Sequence, residues 1–90
     1  MNDSAFRALA DPTRRRILEL LAERDRTAGE IAEQFPIAFA SVSHHLGVLK
    51  VAGLVAAERE GQFIRYRLNT TVFQEVVRYL MNRFSGGNNA

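Results

Sequence analysis

Cysteine and tryptophan are absent from this 90-residue chain, and proline occurs only at Pro12 and Pro36. Without cysteine there is no disulfide, no thiolate metal site and no thiol nucleophile. No run of residues approaches the ~20 apolar ones a membrane span needs. Residues 1–10 lack the basic start and long apolar stretch of a signal peptide, so a soluble cytoplasmic protein with no membrane insertion is expected. Acid is missing from one stretch in particular. Between Pro36 and Ala57 there is no Asp or Glu, while His44, His45 and Lys50 lie inside. A surface that meets phosphates needs such a stretch; a buried segment with no room for charge would look the same. Paired carboxylates in an apolar setting, a Gly-rich phosphate loop and a plausible Ser-His-Asp set are all lacking, which argues against an enzyme. No catalytic residue and no cofactor is assigned.

At 47% hydrophobic and 24% charged residues, the chain has the composition of an ordinary globular protein. Its length makes residues 1–90 one domain. So small a domain buries a modest fraction of its surface, and stability borrowed from a second copy is a natural expectation. The formal net charge of +2 is mild; its placement is more informative.

Residues 4–10 predict a short helix with Phe6 and Leu9 on one side. Asp11 then suits an N-cap and Pro12 a first helical position, opening a helix to about Arg24 with Ile17, Leu18, Leu20 and Leu21 inward. Thr27 and Glu30 form a capping-box pair that opens a second short helix with Ile31, Ala32 and Phe35 inward, ended by Pro36. A third helix is predicted over Phe39–Val51, with Gly53 at its C-terminal cap. Wound at 100° per residue, it gathers Val42, Leu46 and Leu49 on one face with His45 at the border. Ala40, Ser43, His44 and Gly47 fall on the other, with Ser41 and Val48 at the margin. Leu54 to Ala57 reads as a strand, 58–61 as a turn and 62–68 as the returning strand. There Ile64, Tyr66 and Leu68 alternate with Arg65 and Arg67, giving one apolar and one basic face. From about Asn69 a last helix carries Val72, Phe73, Val76, Val77, Leu80, Met81 and Phe84 as a broad apolar stripe. Residues 85–90 read as a disordered tail.

The expected fold is therefore mostly α with a β-hairpin, in the order α-α-α-α-β-β-α. Two short helices joined by a tight turn form a helix-turn-helix, and the hairpin after them supplies a wing. The second of those helices fits the major groove of B-DNA. The run Leu9-Ala10-Asp11-Pro12-Thr13-Arg14-Arg15-Arg16-Ile17-Leu18 resembles the opening motif of the ArsR/SmtB winged helix-turn-helix regulators. Val42-Ser43-His44-His45-Leu46, then Leu49-Lys50 and Ala52-Gly53-Leu54-Val55, resembles that family's recognition helix and its exit. Gly61 through Leu68 is similar to its wing. The resemblance runs collinearly over residues 6–84. It is nearest to the metal-independent small autorepressors typified by a sporulation-delaying toxin operon repressor.

The resemblance implies double-stranded DNA as a partner and dimerisation through the terminal helices. The metal sites of sensing members use cysteine on the motif helix, or Asp and His on the last helix. Neither set exists here, so metal sensing does not carry over, and the adjacent His44 and His45 make a poor metal clamp. The candidate DNA-contacting residues are Phe39, Ala40, Ser41, Ser43, His44 and Gly47 of the third helix, with Arg59 and Gln62 of the wing. Phe39 stands where the family offers a polar residue; it either touches DNA or packs in the core. His45 reads as a structural histidine. Arg14, Arg15 and Arg16 crowd a first helical turn, where the macrodipole disfavours cations. They are expected to pair with Asp11, Glu19 or acids of the short helix, with phosphate contact as the second alternative. Phe6, Leu9, Val72, Phe73, Val76, Val77, Leu80, Met81 and Phe84 form the candidate dimer interface. The expected mechanism is repression by occupancy of an inverted-repeat operator. A regulator released by a small molecule or partner protein, and a winged helix used only for protein interaction, are the alternatives; the inducer is unknown.

Overall fold

A computed structural model describes residues 3–85 of the chain. Its elements are α1 (Asp3–Leu9), α2 (Pro12–Glu23), β1 (Arg26–Thr27), α3 (Ala28–Ala32), α4 (Phe39–Val51), β2 (Val55–Glu60), β3 (Phe63–Leu68) and α5 (Thr70–Ser85). The helix and hairpin order matches the expectation. Two boundaries at the end of the chain differ or fall outside view. Ser85 closes α5 rather than opening a tail, and the expected disorder of 86–90 lies outside the described residues.

Local hydrogen bonding sets most helix ends. Asp11 is the N-cap of α2, its carboxylate accepting from the Arg14 N–H at 3.0 Å with Pro12 at the first helical position. At α3 the Thr27 hydroxyl accepts from the Glu30 N–H at 3.2 Å, and Glu30 accepts from the Thr27 N–H at 2.7 Å. That helix ends at Ala32, earlier than Pro36 alone would dictate. The winding tightens first, with Gln34 N–H to the Ile31 carbonyl at 3.0 Å and Phe35 N–H to Ala32 at 3.2 Å. Gly53, at φ 80°, closes α4. Its N–H reaches the Lys50 carbonyl and that of Leu54 reaches Leu49, both at 3.0 Å, the paired bonds of a Schellman end.

The arginines of α2 behave differently from the expectation. Arg14 Nε donates to the Ala8 carbonyl at 2.8 Å and Nη2 to Arg7 at 3.1 Å, while Arg15 Nη1 donates to Leu9 at 2.8 Å. Only Arg16 makes the expected kind of pair, with Glu19 at 3.1 Å. Because α1 ends directly before α2, its last carbonyls lie within reach. Cations that would burden the start of α2 therefore satisfy the negative end of α1.

The sheet has a third strand that no local pattern announced. β1 pairs with β3, Arg26 opposite Tyr66, giving the antiparallel order β1-β3-β2. Arg26 is buried there; it donates to the Leu20 carbonyl at 3.0 Å and to Glu23 at 2.8 Å. The hairpin ladder runs from Val55 opposite Leu68 to Glu60 opposite Phe63. Glu58, Arg59 and Glu60 thus belong to β2, the turn is Gly61–Gln62, and Leu54 precedes the strand. Gly61 has φ 61°, a conformation that resists a side chain. Diagonal cross-strand ion pairs extend the ladder beyond the expected length: Arg65 to Glu60 at 2.9 Å and Arg67 to Glu58 at 3.4 Å. Ile64, expected on the apolar face, is exposed because it lies in the far half of the hairpin, beyond the body of the domain.

Ile17, Ile31, Val42, Leu46, Leu49 and Leu54 fill the centre of the core, and Ala5 and Ala8 let α1 lie close upon it. α5 joins this core by Val76, which is buried, with Val72 and Phe73 packed beside it.

Candidate nucleic-acid interface

Three core residues one turn apart, Val42, Leu46 and Leu49, hold α4 against the domain and decide which of its faces looks outward. Ala40, Ser41, Ser43, His44 and Gly47 are all exposed. Phe39 is 57% exposed, which removes the core-packing alternative for it. Ala38, the N-cap of α4, makes no side-chain cap bond, and while its carbonyl takes the Ser41 N–H at 3.0 Å, the Phe39 and Ala40 N–H groups are open to an external acceptor. A Cβ built at Gly47 meets nothing within 4 Å. The protein's own packing does not demand glycine there.

His45 turns the other way. Its Nδ1 accepts from Arg14 Nη1 at 3.2 Å and lies 3.8 Å from Asp11 Oδ2. It ties α4 to the α1–α2 junction, in keeping with a structural role. The Asp11 carboxyl is held below its ordinary range by the Arg14 N–H it accepts, with the Arg14 charge adding to the effect against partial desolvation. The Thr27 N–H lowers Glu30 in the same way.

The wing presents less free charge than its sequence suggests. Arg65 and Arg67 are engaged by Glu60 and Glu58, and Arg65 also lies 3.9 Å from Glu30. The Glu60 hydrogen bond and charge raise the Arg65 pKa. Arg59, opposite Ile64, is exposed and has no ion pair among the described residues. Gln62 is exposed in the turn. The structure thus brings Phe39, Ala40, Ser41, Ser43, His44 and Gly47 onto one helix surface and sets Arg59 and Gln62 apart from them on the hairpin.

A groove of about 450 Å³ runs between α1 and α4, lined by Ser4, Arg7, His44, Gly47, Val48 and Val51. It adds α1 residues that the sequence reading passed over. The available signal was the wheel of α1, which sets Ser4 and Arg7 on the flank away from Phe6 and Leu9. Among the described residues, no group of three or more His, Asp or Glu is placed to hold a metal ion, and no helix is long and apolar enough to cross a membrane.

The bacterial arsR family of regulatory proteins matches residues 11–57, from the cap of α2 into β2. The transcriptional repressor SdpR of Bacillus subtilis (strain 168) is 49% identical over 87 residues, 97% of each chain. The chain belongs to this arsR family. The regulator KmtR of Mycobacterium tuberculosis (strain ATCC 25618 / H37Rv) is 43% identical over 83 residues, covering 91% of this chain and 64% of that longer one. Among solved structures, an ArsR-like transcriptional regulator from Rhodococcus sp. RHA1 superposes with a TM-score of 0.88 at 31% identity, covering 97% of this chain and 80% of its own. The family member described here is a DNA-binding transcriptional regulator, not an enzyme, and its fold is that of the arsR winged helices.

The apolar stripe expected at a dimer interface is divided along α5. Val76 is 2% exposed and belongs to the domain's own core. Val72 and Phe73 pack against that core, as do Phe6 and Leu9 of α1, and the Phe6 ring meets that of Tyr79 at a tilt of 59° with centroids 5.7 Å apart. Val77, Leu80, Met81 and Phe84 are exposed.

Proposed function

We propose that the chain is a single winged helix-turn-helix domain that acts in the cytoplasm as a homodimeric repressor, occupying an inverted-repeat operator and excluding polymerase. The observation that carries this reading is the exposed outer face of α4, small and polar and free of acid from Pro36 to Ala57. Two such helices related by a two-fold axis enter successive major grooves about 34 Å apart. Ser43 donates to or accepts from base edges and His44 hydrogen-bonds base edges or phosphates, while Ala40 and Gly47 let the helix backbone come close. Phe39 meets thymine methyls or sugars, and Ser41, Arg59 and Gln62 reach the flanking backbone. The distal stripe of α5, with α1 alongside, pairs the two copies. No metal takes part.

An apolar cleft of about 270 Å³, lined by Leu9, Leu18, Leu68 and Phe73 with Arg15 and Glu19 at its edge, favours a second reading. In it a small molecule lodged beside α5 releases the DNA.

Fluorescence anisotropy on a duplex from the chain's own upstream region tests the first reading. His44→Ala and Ser43→Ala are each expected to weaken specific binding by about 1–3 kcal/mol with the fold intact. Adding zinc or nickel is expected to leave the affinity within a few-fold. Variants that bind as tightly as the unaltered protein would show that this face is not the reading surface.

A further inference from the structure

Helix α1 carries two chemically different flanks on either side of its buried Ala5 and Ala8. Phe6 and Leu9 lie on the flank toward α5, where Phe6 meets Tyr79 and Leu9 shares a cleft with Phe73. Ser4 and Arg7 lie on the opposite flank and form one wall of the groove whose other wall is His44, Gly47, Val48 and Val51 of α4. Arg7 is exposed, and its side chain has no ion pair or hydrogen bond among the described residues. Asp3, one turn before it, is not paired with it. The main-chain carbonyl of Arg7, by contrast, is committed to Arg14.

We propose that Arg7 of α1 and His44 of α4 line a seat for a DNA backbone phosphate, with Val48 and Val51 receiving the adjoining deoxyribose. This deepens the DNA-binding reading and rests on it. Three observations support it. The groove is continuous with the outer face of α4, because His44 and Gly47 belong to both. Its α4 wall lies within the acid-free stretch, so a phosphate there meets no opposing carboxylate from that helix. The exposed Val51, 84% accessible, gives the sugar an apolar contact that water does not. A duplex gripped by α4 brings its sugar–phosphate walls to the helix's flanks, and α1 occupies one of those flanks. Arg7 then fixes register without reading sequence.

The test is the salt dependence of binding, measured with the full chain on its operator and on a random-sequence duplex. Arg7→Gln keeps most of the side-chain length and removes the charge. Each lost phosphate contact lowers the slope of log K against log salt by about 0.9. With one Arg7 per subunit, a dimer's fall in affinity between about 50 and 200 mM salt should therefore become roughly tenfold shallower. The loss should be equal on both duplexes, and Arg7→Lys should restore the slope. Thermal melts followed by circular dichroism should match the unaltered protein, since the Arg7 carbonyl survives in both variants. An unchanged slope for a folded Arg7→Gln overturns the phosphate seat while leaving DNA binding by α4 standing. A loss confined to the operator overturns it too, by making Arg7 a base contact. Failure of the unaltered protein to bind duplex DNA overturns the underlying reading along with it.

Discussion

The outer faces of α4 and of the distal half of α5 are both left uncovered by the chain's own packing, and they differ in kind. Along α4 most of the uncovered residues, Ala40, Ser41, Ser43, His44, Gly47 and Lys50, are small, polar or basic, and the two large apolar ones, Phe39 and Val51, stand singly at opposite ends of the helix. Along α5 they are Val77, Leu80, Met81 and Phe84, from 37% to 68% exposed. A hydrated polar face costs nothing to leave in water until a ligand with better-placed partners arrives. A contiguous apolar face is a standing loss, which monomers seldom tolerate beyond scattered single residues. Exposure by itself therefore says little, and its chemistry separates a surface suited to phosphates and base edges from one suited to a second copy. Covering half of each exposed α5 side chain at roughly 1 kcal/mol, doubled by symmetry, supplies on the order of 8 kcal/mol. Association costs about 4–15 kcal/mol. The distal stripe alone falls short of micromolar association, which takes a net of about 8 kcal/mol, so α1 and the start of α5 must contribute surface around it.

The largest effects are expected on α5, where neighbouring positions of the same stripe should fail in different ways. Val76→Arg forces a cation into the monomer's core, with no partner to receive it, and should abolish cooperative unfolding altogether. Leu80→Glu places its charge on the uncovered side. The domain should stay folded, with a thermal transition close to that of the unaltered protein. It should also sediment as a monomer and lose tight operator binding. A Leu80→Glu protein that remains dimeric would remove the distal stripe from the interface and leave the contrast between the two faces without its second half.

How much of this arrangement a sequence shows depends on how far apart the interacting groups lie along the chain. The Asp11 cap, the Thr27–Glu30 box and the Gly53 helix end are each made within a few residues, and each is legible. The faces of α2 and α4 are legible because periodicity is also local. The pairing of β1 with β3 joins residues some forty positions apart and has only two residues to announce it. The Arg14 and Arg15 bonds to α1 carbonyls depend on how α1 folds back on α2. Val76 and Leu80 share one stripe in sequence, and only the docking of α5 on the core divides them. For the candidate interface, the α4 residues follow from the wheel, whereas Arg7 enters only once α1 is seen beside α4. Ile64 shows the reverse case: its alternation is correct, but the hairpin outruns the body that would cover it.

A smaller effect is expected on α4, where stability and binding should move in opposite directions. Gly47 lies mid-helix, and a Cβ added there meets no atom of the chain within 4 Å. Gly47→Ala should therefore stabilise the domain, by up to about 1 kcal/mol, because alanine loses less backbone freedom in a helix. The same methyl stands on the surface that meets the groove and should weaken operator affinity. Chemical denaturation and anisotropy on one preparation give both signs. If Gly47→Ala raises stability and leaves affinity unchanged, the close approach of α4 to DNA is not centred on this turn.

The smallest expected effect lies on the wing, a third exposed surface. There the arginines are similar in sequence and unlike in circumstance. Arg67 is held by Glu58 at 3.4 Å, and a phosphate would have to displace that carboxylate. Arg59 carries no such partner among the described residues and lies near the free end of the ladder, opposite Ile64. Removing a free cation that neutralises one phosphate should lower the salt slope by about 0.9 per subunit. Removing a paired cation should change it little and instead leave Glu58 exposed to repel the backbone. Arg59→Ala is accordingly expected to flatten the salt dependence on operator and random duplex alike. Arg67→Ala should weaken binding slightly with the slope nearly unchanged, and Glu58→Gln combined with Arg67→Ala should recover that loss. Both single variants should fold normally, since surface ion pairs of this kind contribute at most about 1 kcal/mol. An Arg59→Ala protein with an unaltered slope would place the wing away from the phosphates and leave DNA contact to α4 and its flanking helix.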